Sequence, residues 1–208
     1  MLHTSTVEPA ALDLLKELLA IPKFENLYLV GGTALSLKFG HRISEDLDLF
    51  STEDFDKADF LDILLEHFPD MEYRRDQNPV GIFCRINNVK VDIVKHHYFK
   101  NIGQIETTEN IRMFGNEDII AMKIFAILKR AKKKDFFDLA ELSKHFTMQQ
   151  MLDFYKRKYP DHMLLISIPQ AITYFVDAES DADPMSLNGM TWENVKVILS
   201  KKVNEFMK

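Results

Sequence analysis

Residues 29–50, LVGGTALSLKFGHRISEDLDLF, decide the fold that we expect. They contain the end of an apolar strand, a glycine pair, a short helix, a basic loop and a second strand that carries Asp46 and Asp48. Successive side chains on a strand point to opposite faces, so the two carboxylates share one face and Leu47 and Leu49 take the other. Two acids on one face repel each other, and a cation between them removes that cost. The pattern therefore predicts a metal-binding strand.

The glycine pair suggests a phosphate site beside this strand. Gly31 and Gly32 follow the predicted strand Leu27–Val30 and precede a predicted helix over residues 33–39. A helix start presents unpaired N–H groups and partial positive charge, and glycine lets a phosphate approach the backbone closely. The Thr33 hydroxyl adds a further donor. The alternative interpretation is a glycine turn followed by a solvated acidic strand end.

A third acid, Asp92, lies in a predicted hairpin. Two strand-like runs, residues 80–86 and 89–94, are separated by an Asn-Asn pair, which tolerates the positive φ values of a tight turn. In the second run, VKVDIV, Lys90 and Asp92 point to one face and apolar side chains to the other. An unpaired charge in such a strand is costly, so Asp92 needs a partner. That partner is either a metal ion shared with the first two acids or a salt bridge to Lys90 or Arg85.

The composition is that of a globular protein with an acidic surface. The chain has 208 residues, of which 46% are hydrophobic and 28% are charged, and its net charge is −6. This charge argues against a general nucleic-acid coat, since non-specific binding needs a basic surface. A local basic cluster exists at residues 129–134, where five cations occupy six positions. It suits either an RNA contact or a solvated helix end.

Several features favour a cytoplasmic protein. The single cysteine, Cys84, excludes an internal disulfide, and we expect it to be a buried filler and not a nucleophile. No apolar run approaches the ~20 residues that a membrane helix needs, and residues 1–12 lack a signal-peptide pattern, so we expect no membrane partner. Adjacent histidines at residues 96–97 diverge and have no further Cys or His at zinc-ligand spacing, which favours a loop.

The second half of the chain has mainly helical spacing. Lys123 lies on a helix predicted to begin near residue 116, with Arg130 seven and Lys134 eleven residues later. If this helix continues, the three cations face one way, with Asp138 near the same side. Such a line could form a surface ladder of ion pairs or the positive wall of a phosphate site.

Four segments together resemble a known family. VGGTALSL, GHRISEDLDLF, VKVDIV and AMKIFAILKRAKKKDFFDLAEL are similar to the AbiEii/AbiGii toxin family, within the DNA polymerase β-like nucleotidyltransferase superfamily. The likeness covers most of residues 27–142, and the closing TWENVK helix is similar as well. It implies an α+β fold, with a small mixed β-sheet and flanking helices followed by a helical C-terminal region. We expect a catalytic core over residues 1–115, and a helical region over residues 116–208 that completes the active site.

The resemblance also implies roles for individual positions. The KDFxDL motif contributes an acid important for activity, either Asp135 or Asp138, of which we prefer Asp138. The implied catalytic residues are Asp46, Asp48, Asp92, Lys123 and Asp138, and the first three are the implied metal ligands. The implied nucleotide-binding residues are Gly31, Gly32, Thr33, Arg42, Ser44, Lys123 and Lys134.

The implied activity is transfer of a nucleoside monophosphate from a nucleoside triphosphate (NTP) to an acceptor, with two Mg²⁺ ions, or Mn²⁺, as cofactors. The resemblance further implies the toxin of a toxin–antitoxin system of the abortive infection type. It would be a monomer that modifies the 3′ end of tRNA and has an antitoxin protein as partner. A small-molecule or protein acceptor is the alternative. The same acids would also suit a metal-dependent phosphohydrolase or a non-catalytic nucleotide-binding module.

Overall fold

The computed structural model describes residues 1–73, 79–96 and 99–208. The chain divides into two compact units. The first unit comprises Met1–Lys38, Ser44–Lys100 and Ile105–Phe114. The second comprises Phe39–Ile43, Asn101–Gln104 and Gly115–Lys208.

A seven-stranded sheet forms the centre of the first unit. Its strands are β1 (Leu27–Val30), β2 (Leu47–Ser51), β3 (Glu72–Tyr73), β4 (Gly81–Ile86), β5 (Val89–Lys95), β6 (Glu106–Thr108) and β7 (Ile111–Met113). They lie in the order β3-β4-β5-β2-β1-β7-β6. Strand β2 is parallel to β5 and antiparallel to β1, while β1 is parallel to β7. The sheet is therefore mixed, which confirms this part of the predicted fold class.

Three helices belong to the sheet-forming part of the chain: α1 (Pro9–Ala20), α2 (Gly31–Phe39) and α3 (Lys57–His67). Helix α1 begins at a proline, buries its leucines and packs against β7. Helix α3 is capped by Asp56, whose carboxylate accepts hydrogen bonds from the next turn. Helix α2 begins at Gly31, two residues before the predicted start, so the glycine pair forms part of its first turn.

Among the described residues, the sheet has two hairpin turns with positive φ values, of which the sequence predicted one. Asn87 and Asn88 have φ values of 49° and 65°, which confirms the predicted turn between β4 and β5. A second hairpin, β6–β7, turns at Glu109 and Asn110, with φ values of 53° and 63°, and was not predicted. Each of its strands has three residues, which is too short to display an alternating pattern.

The second unit is helical. It contains α4 (Asn116–Arg130), α5 (Lys133–Leu142), α6 (Met148–Lys158), α7 (Ile168–Ile172) and α8 (Trp192–Phe206). Helix α4 packs against α5, α6 and α7, and α8 packs against the same three helices. Ala131 adopts a left-handed conformation, with φ 44°, and ends α4. The helix does not continue to Lys134, which lies on α5, so the condition for a single line of cations is not met.

The remaining expectations concern the cysteine, the histidine pair and membrane-spanning helices. Cys84 is buried in β4, as expected. His96 follows β5 and is buried, whereas His97 lies outside the described residues. In the described part of the chain, no helix combines the length and the apolar character needed to span a bilayer.

Candidate active site

Asp48 and Asp92 lie side by side in the sheet of the first unit. They are register partners on the parallel strands β2 and β5, so their side chains share one face. Leu47, Leu49 and Val91 are fully buried on the opposite face. Asp46, the third predicted metal ligand, directly precedes β2. The alternation predicted from the sequence and the pairing of β2 with β5 thus place two of the three acids side by side.

Lys90 also lies on this face. Its Nζ is 2.7 Å from Oδ2 of Asp92. Burial lowers the pKa of Lys90, but the hydrogen bond and charge of Asp92, with the charges of Asp46 and Asp48, outweigh this effect and raise the pKa. The other Asp92 oxygen, Oδ1, is buried and has no hydrogen-bond partner among the described residues. The salt bridge that the sequence offered as the alternative to a metal therefore satisfies one Asp92 oxygen only.

The donor set at this face suits a hard divalent cation. Carboxylate oxygens are the ligands that Mg²⁺ and Mn²⁺ prefer. A buried carboxylate oxygen without a hydrogen-bond partner can be satisfied by such a cation. Within residues 1–73, 79–96 and 99–208, no three His, Cys, Asp or Glu side chains are grouped so as to hold a metal ion. The fit consequently rests on the chemistry of the acids, on the Asp48–Asp92 pair and on Oδ1 of Asp92, which has no hydrogen-bond partner among the described residues.

Gly31 makes a close approach to Asp48. It opens α2 with φ +71°, and a Cβ at this position would lie 2.6 Å from Oδ2 of Asp48. Glycine is thus favoured twice here, by its backbone conformation and by the space that the carboxylate occupies. The sequence suggested only that the glycine pair lets a phosphate approach. The structure adds that Gly31 lets the Asp48 side chain lie against the start of α2.

Two buried hydroxyl groups connect α2 to the segment before β2. Thr33 Oγ1 lies 2.9 Å from Ser44 Oγ, and it also forms a hydrogen bond with the backbone carbonyl of Asp46. Both side chains are almost completely buried. They hold the main chain at Asp46 in place, so they support the acidic strand from within the protein.

In the second unit, Asp138 is the centre of a buried charge network. His41 Nε2 and Arg42 Nε lie 2.8 and 2.7 Å from its Oδ1. Arg42 Nη2 and Lys123 Nζ lie 2.9 and 2.6 Å from its Oδ2. Burial alone would raise the pKa of Asp138, but the charges of Arg42 and Lys123 and the hydrogen bonds hold the pKa well below its usual value. Asp138 is thus a buried anion that orients Arg42 through two parallel contacts.

Lys123 is held by two acids of α5. Its buried Nζ lies 2.9 Å from Oδ1 of Asp135 as well as 2.6 Å from Asp138. Desolvation lowers the pKa of Lys123, but the charges of Asp138 and Asp135 outweigh it and raise the pKa. Arg130 Nε contacts Asp135 at 3.1 Å and brings a third cation to these two acids. The predicted line of cations and acids is therefore partly a buried ion-pair network.

The basic cluster at residues 129–134 divides into buried and exposed members. Lys133 is buried, with Nζ 2.8 Å from the Asp183 carboxylate and 2.7 Å from the Asp181 carbonyl. Lys129 is exposed, with Nζ 5.6 Å from the centroid of a phenyl ring, and Lys134 is also exposed. The cluster thus offers an anionic partner fewer cations than its sequence suggests.

Sequence reasoning missed the role of His41 and weighed Lys90 only as a salt-bridge partner. His41 precedes Arg42, and its contact with Asp138 spans 97 positions, so no local spacing rule could indicate it. Lys90 could have been found, because a lysine two residues before an acid on a strand shares its face.

Residues 13–187 match the model of a protein family described as the nucleotidyl transferase AbiEii toxin of a type IV toxin–antitoxin system. The chain belongs to this AbiEii family. It is a nucleotidyltransferase, and the resemblance drawn from the four sequence segments is confirmed.

Relatives of this AbiEii-family protein match over most of its length. An uncharacterized protein of Aquifex aeolicus (strain VF5) is 28% identical over 205 residues, covering 94% of this chain and 95% of that protein. The crystal structure of JHP933 from Helicobacter pylori aligns with a TM-score of 0.59 and 22% identity, over 96% of this chain and 92% of its own. MenT4, a nucleotidyltransferase toxin from Mycobacterium tuberculosis H37Rv, aligns with a TM-score of 0.59 and 14% identity, over 96% and 82%. The predicted nucleotidyltransferase fold is therefore confirmed.

Proposed function

We propose that this AbiEii-family protein transfers a nucleoside monophosphate from an NTP to an acceptor at the face formed by Asp46, Asp48 and Asp92. The observation that carries the proposal is the side-by-side placement of Asp48 and Asp92, with Gly31 against the Asp48 carboxylate. Two acids on one face of the sheet provide metal ligands, and the glycine-rich helix start beside them provides N–H donors for phosphate oxygens.

We propose Asp46, Asp48 and Asp92 as the ligands of two Mg²⁺ or Mn²⁺ ions. Divalent ions bound there supply charge neutralisation at the transferred phosphate and lower the pKa of the attacking hydroxyl. The N–H groups of Gly31 and Gly32, at the start of α2, bind phosphate oxygens. Asp92, whose Oδ1 has no hydrogen-bond partner among the described residues, can also take the proton of the attacking hydroxyl.

Six further residues have roles in the proposed activity. Thr33 and Ser44 hold the segment before β2. Arg42 and Lys123, both bound to Asp138, and the exposed Lys134 are the further nucleotide-binding cations that we propose. Asp138 acts in this scheme as a positioning residue, because its side chain is fully buried among protein cations.

We propose the 3′ end of tRNA as the acceptor, and an antitoxin protein as the partner that limits the activity. The family, described as the toxin of a toxin–antitoxin system, supports the toxin role. The exposed Lys129 supports an RNA acceptor, since an RNA backbone requires cations on the surface. A small-molecule or protein acceptor is the second candidate.

Incubation with each α-labelled NTP and total RNA tests the activity and the acceptor together. We expect label on RNA from wild-type protein and from Asp62→Asn, which removes an exposed acid of α3. Asp48→Asn should retain the fold by circular dichroism and lose the transfer. Unchanged turnover in Asp48→Asn would reject the assignment of the metal site. Release of phosphate or pyrophosphate without a labelled acceptor would indicate a phosphohydrolase, and NTP binding without turnover a binding module.

A charge reversal tests the RNA surface separately. Lys129→Glu should reduce RNA labelling and leave NTP binding intact, whereas Lys16→Glu, which reverses an exposed charge on α1, should change neither. Equal labelling by both variants would argue against RNA contact at Lys129.

A further inference from the structure

Lys90 is placed where a metal ion would have to compete with it. It lies two residues before Asp92 on β5, so both side chains project from the same face. Its Nζ contacts Oδ2 of Asp92 at 2.7 Å, and the charges of Asp46 and Asp48 act on it as well. The Lys90 ammonium thus contacts one of the carboxylates that we propose as metal ligands, and Asp48 lies beside that carboxylate on β2.

The contact between Lys90 and Asp92 can be broken at modest cost. The Lys90 side chain is 47% exposed and that of Asp92 is 16% exposed, so water can solvate a released ammonium. Both residues line an open cavity of about 520 Å³, together with Glu72, Tyr73, Phe83, Cys84 and Arg85. Among the described residues, the Lys90 side chain therefore borders open space into which it can move away from Asp92.

A second cation on the same face does not take this position. Arg85 is the register partner of Lys90 across the β4–β5 hairpin. Its Nη1 donates to the carbonyl oxygen of Asn88 at 2.7 Å, at the hairpin turn. Arg85 therefore resembles Lys90 in charge, face and strand position, but it contacts a turn carbonyl where Lys90 contacts a carboxylate.

From these contacts we propose that Lys90 is an internal counter-ion, which occupies the acidic face in the metal-free protein and is displaced when a divalent cation binds. The inference rests on the proposed metal-binding role of Asp46, Asp48 and Asp92. The Lys90 ammonium offsets part of the negative charge of this face. Because the ammonium must first leave Oδ2 of Asp92, it weakens the intrinsic affinity for metal. A metal ion that arrives with a triphosphate meets additional ligands and overcomes this competition more readily than a metal ion alone.

Mn²⁺ binding in the absence of nucleotide tests this inference, by titration calorimetry or by the electron paramagnetic resonance signal of unbound Mn²⁺. Lys90→Met keeps the length of the side chain and removes its charge. We expect it to bind Mn²⁺ roughly three- to fivefold more tightly than the wild type, the upper part of the range that loss of a part-exposed ion pair allows. Arg85→Met is the matched control and should stay within about twofold of the wild type.

Stability without metal gives an independent readout. In EDTA, Lys90→Met should unfold at a lower temperature than Arg85→Met, because Asp92 has lost the ammonium that contacts it. Mn²⁺ should raise the Tm of Lys90→Met by more than it raises the Tm of the wild type, because the variant binds Mn²⁺ more tightly.

The outcomes separate this inference from the proposed function. Equal Mn²⁺ affinity in Lys90→Met and wild type, or an equal gain in Arg85→Met, overturns the counter-ion role while the metal site stands. A further Asp48→Asn change in the Lys90→Met background should abolish the binding. If neither wild type nor Lys90→Met binds Mn²⁺ in a manner that depends on Asp48, the metal site itself fails and the role of Lys90 fails with it.

Discussion

Gly31 lies against the carboxylate of Asp48, so close that a Cβ on Gly31 would be 2.6 Å from Oδ2. The strand register explains this approach. Val30, the last residue of β1, pairs with Asp48 on the antiparallel strand β2, and Gly31 follows it at the start of α2. The helix start and the acidic strand are therefore adjacent because of one backbone pairing, and the residue between them must be small.

Gly31→Ala should separate the position of Asp48 from general stability. The variant forces an alanine into φ +71° and pushes the Asp48 carboxylate aside. We expect a loss of about 1–2 kcal/mol in unfolding free energy from the left-handed backbone. We also expect a fall in transfer rate of roughly 100-fold, because Asp48 is displaced.

Gly189→Ala is the control for Gly31→Ala. Gly189 has φ +74°, and a Cβ added to it would meet none of the described residues within 4 Å, so alanine there imposes the same backbone strain without a clash. Its unfolding free energy should fall by a similar amount while transfer is unaffected. Denaturant titration and the α-labelled NTP assay give the two quantities. A similar fall in transfer for both variants would show that strain, and not Asp48, is responsible.

Asp138→Asn should destabilise the second unit strongly. It removes the anion that Arg42, Lys123 and His41 contact and leaves two buried cations with less compensation. Breaking a buried ion pair from one side costs about 3–5 kcal/mol, and we expect a loss of this order in urea unfolding at pH 7. Asp62→Asn, at an exposed position, should change stability by less than about 0.5 kcal/mol.

The difference in stability between wild type and Asp138→Asn should change with pH in a definite direction. The pKa of Asp138 in the folded protein is held well below its usual value, while in the unfolded chain it is about 3.9. The stabilisation by Asp138 is therefore complete above about pH 4 and is lost as the pH falls toward the folded-state pKa. The gap in stability between wild type and Asp138→Asn should therefore shrink as the pH falls below 4. A gap that persists unchanged at lower pH would contradict the assigned charge state.

Strand alternation was enough to predict that Asp48 and Asp92 each project from the polar face of their strand, and turn chemistry was enough to predict the Asn87–Asn88 turn. Both depend on neighbours within a few positions. The Asp138 network could not be found in this way, because Arg42 and Asp138 are 96 positions apart. The sequence left open where α4 ends. Ala131, whose φ of 44° ends the helix, is a good helix former, so its identity gives no stop signal.

The buried pair of Asp118 and Lys158 offers a test of uncompensated charge in the second unit. Lys158 Nζ lies 2.6 Å from Oδ1 of Asp118, whose carboxylate also accepts hydrogen bonds from the backbone N–H groups of Ile102 and Gly103. Lys158→Met leaves the carboxylate buried without its cation, and we expect a loss of about 3–5 kcal/mol.

Adding Asp118→Asn to Lys158→Met removes that charge while keeping an oxygen acceptor for the loop. The double variant should be more stable than Lys158→Met alone in urea unfolding, because the desolvated anion is gone. A double variant that loses the sum of the two single effects would show that the two charges do not compensate each other.

The reactivity of Cys84 reports on the proposed site from the strand beside it. Burial, with a smaller contribution from the charge of Asp92, raises the pKa of the Cys84 thiol to about 12. Alkylation requires the thiolate, so at pH 8 the native thiol should react with iodoacetamide roughly 1,000-fold more slowly than the unfolded chain. Asp92→Asn should speed native alkylation and Asp62→Asn should not, since only the first change removes a charge near the sulfur. Mass spectrometry measures both rates, and rapid native labelling of the wild type would show that Cys84 is accessible and its thiol unperturbed.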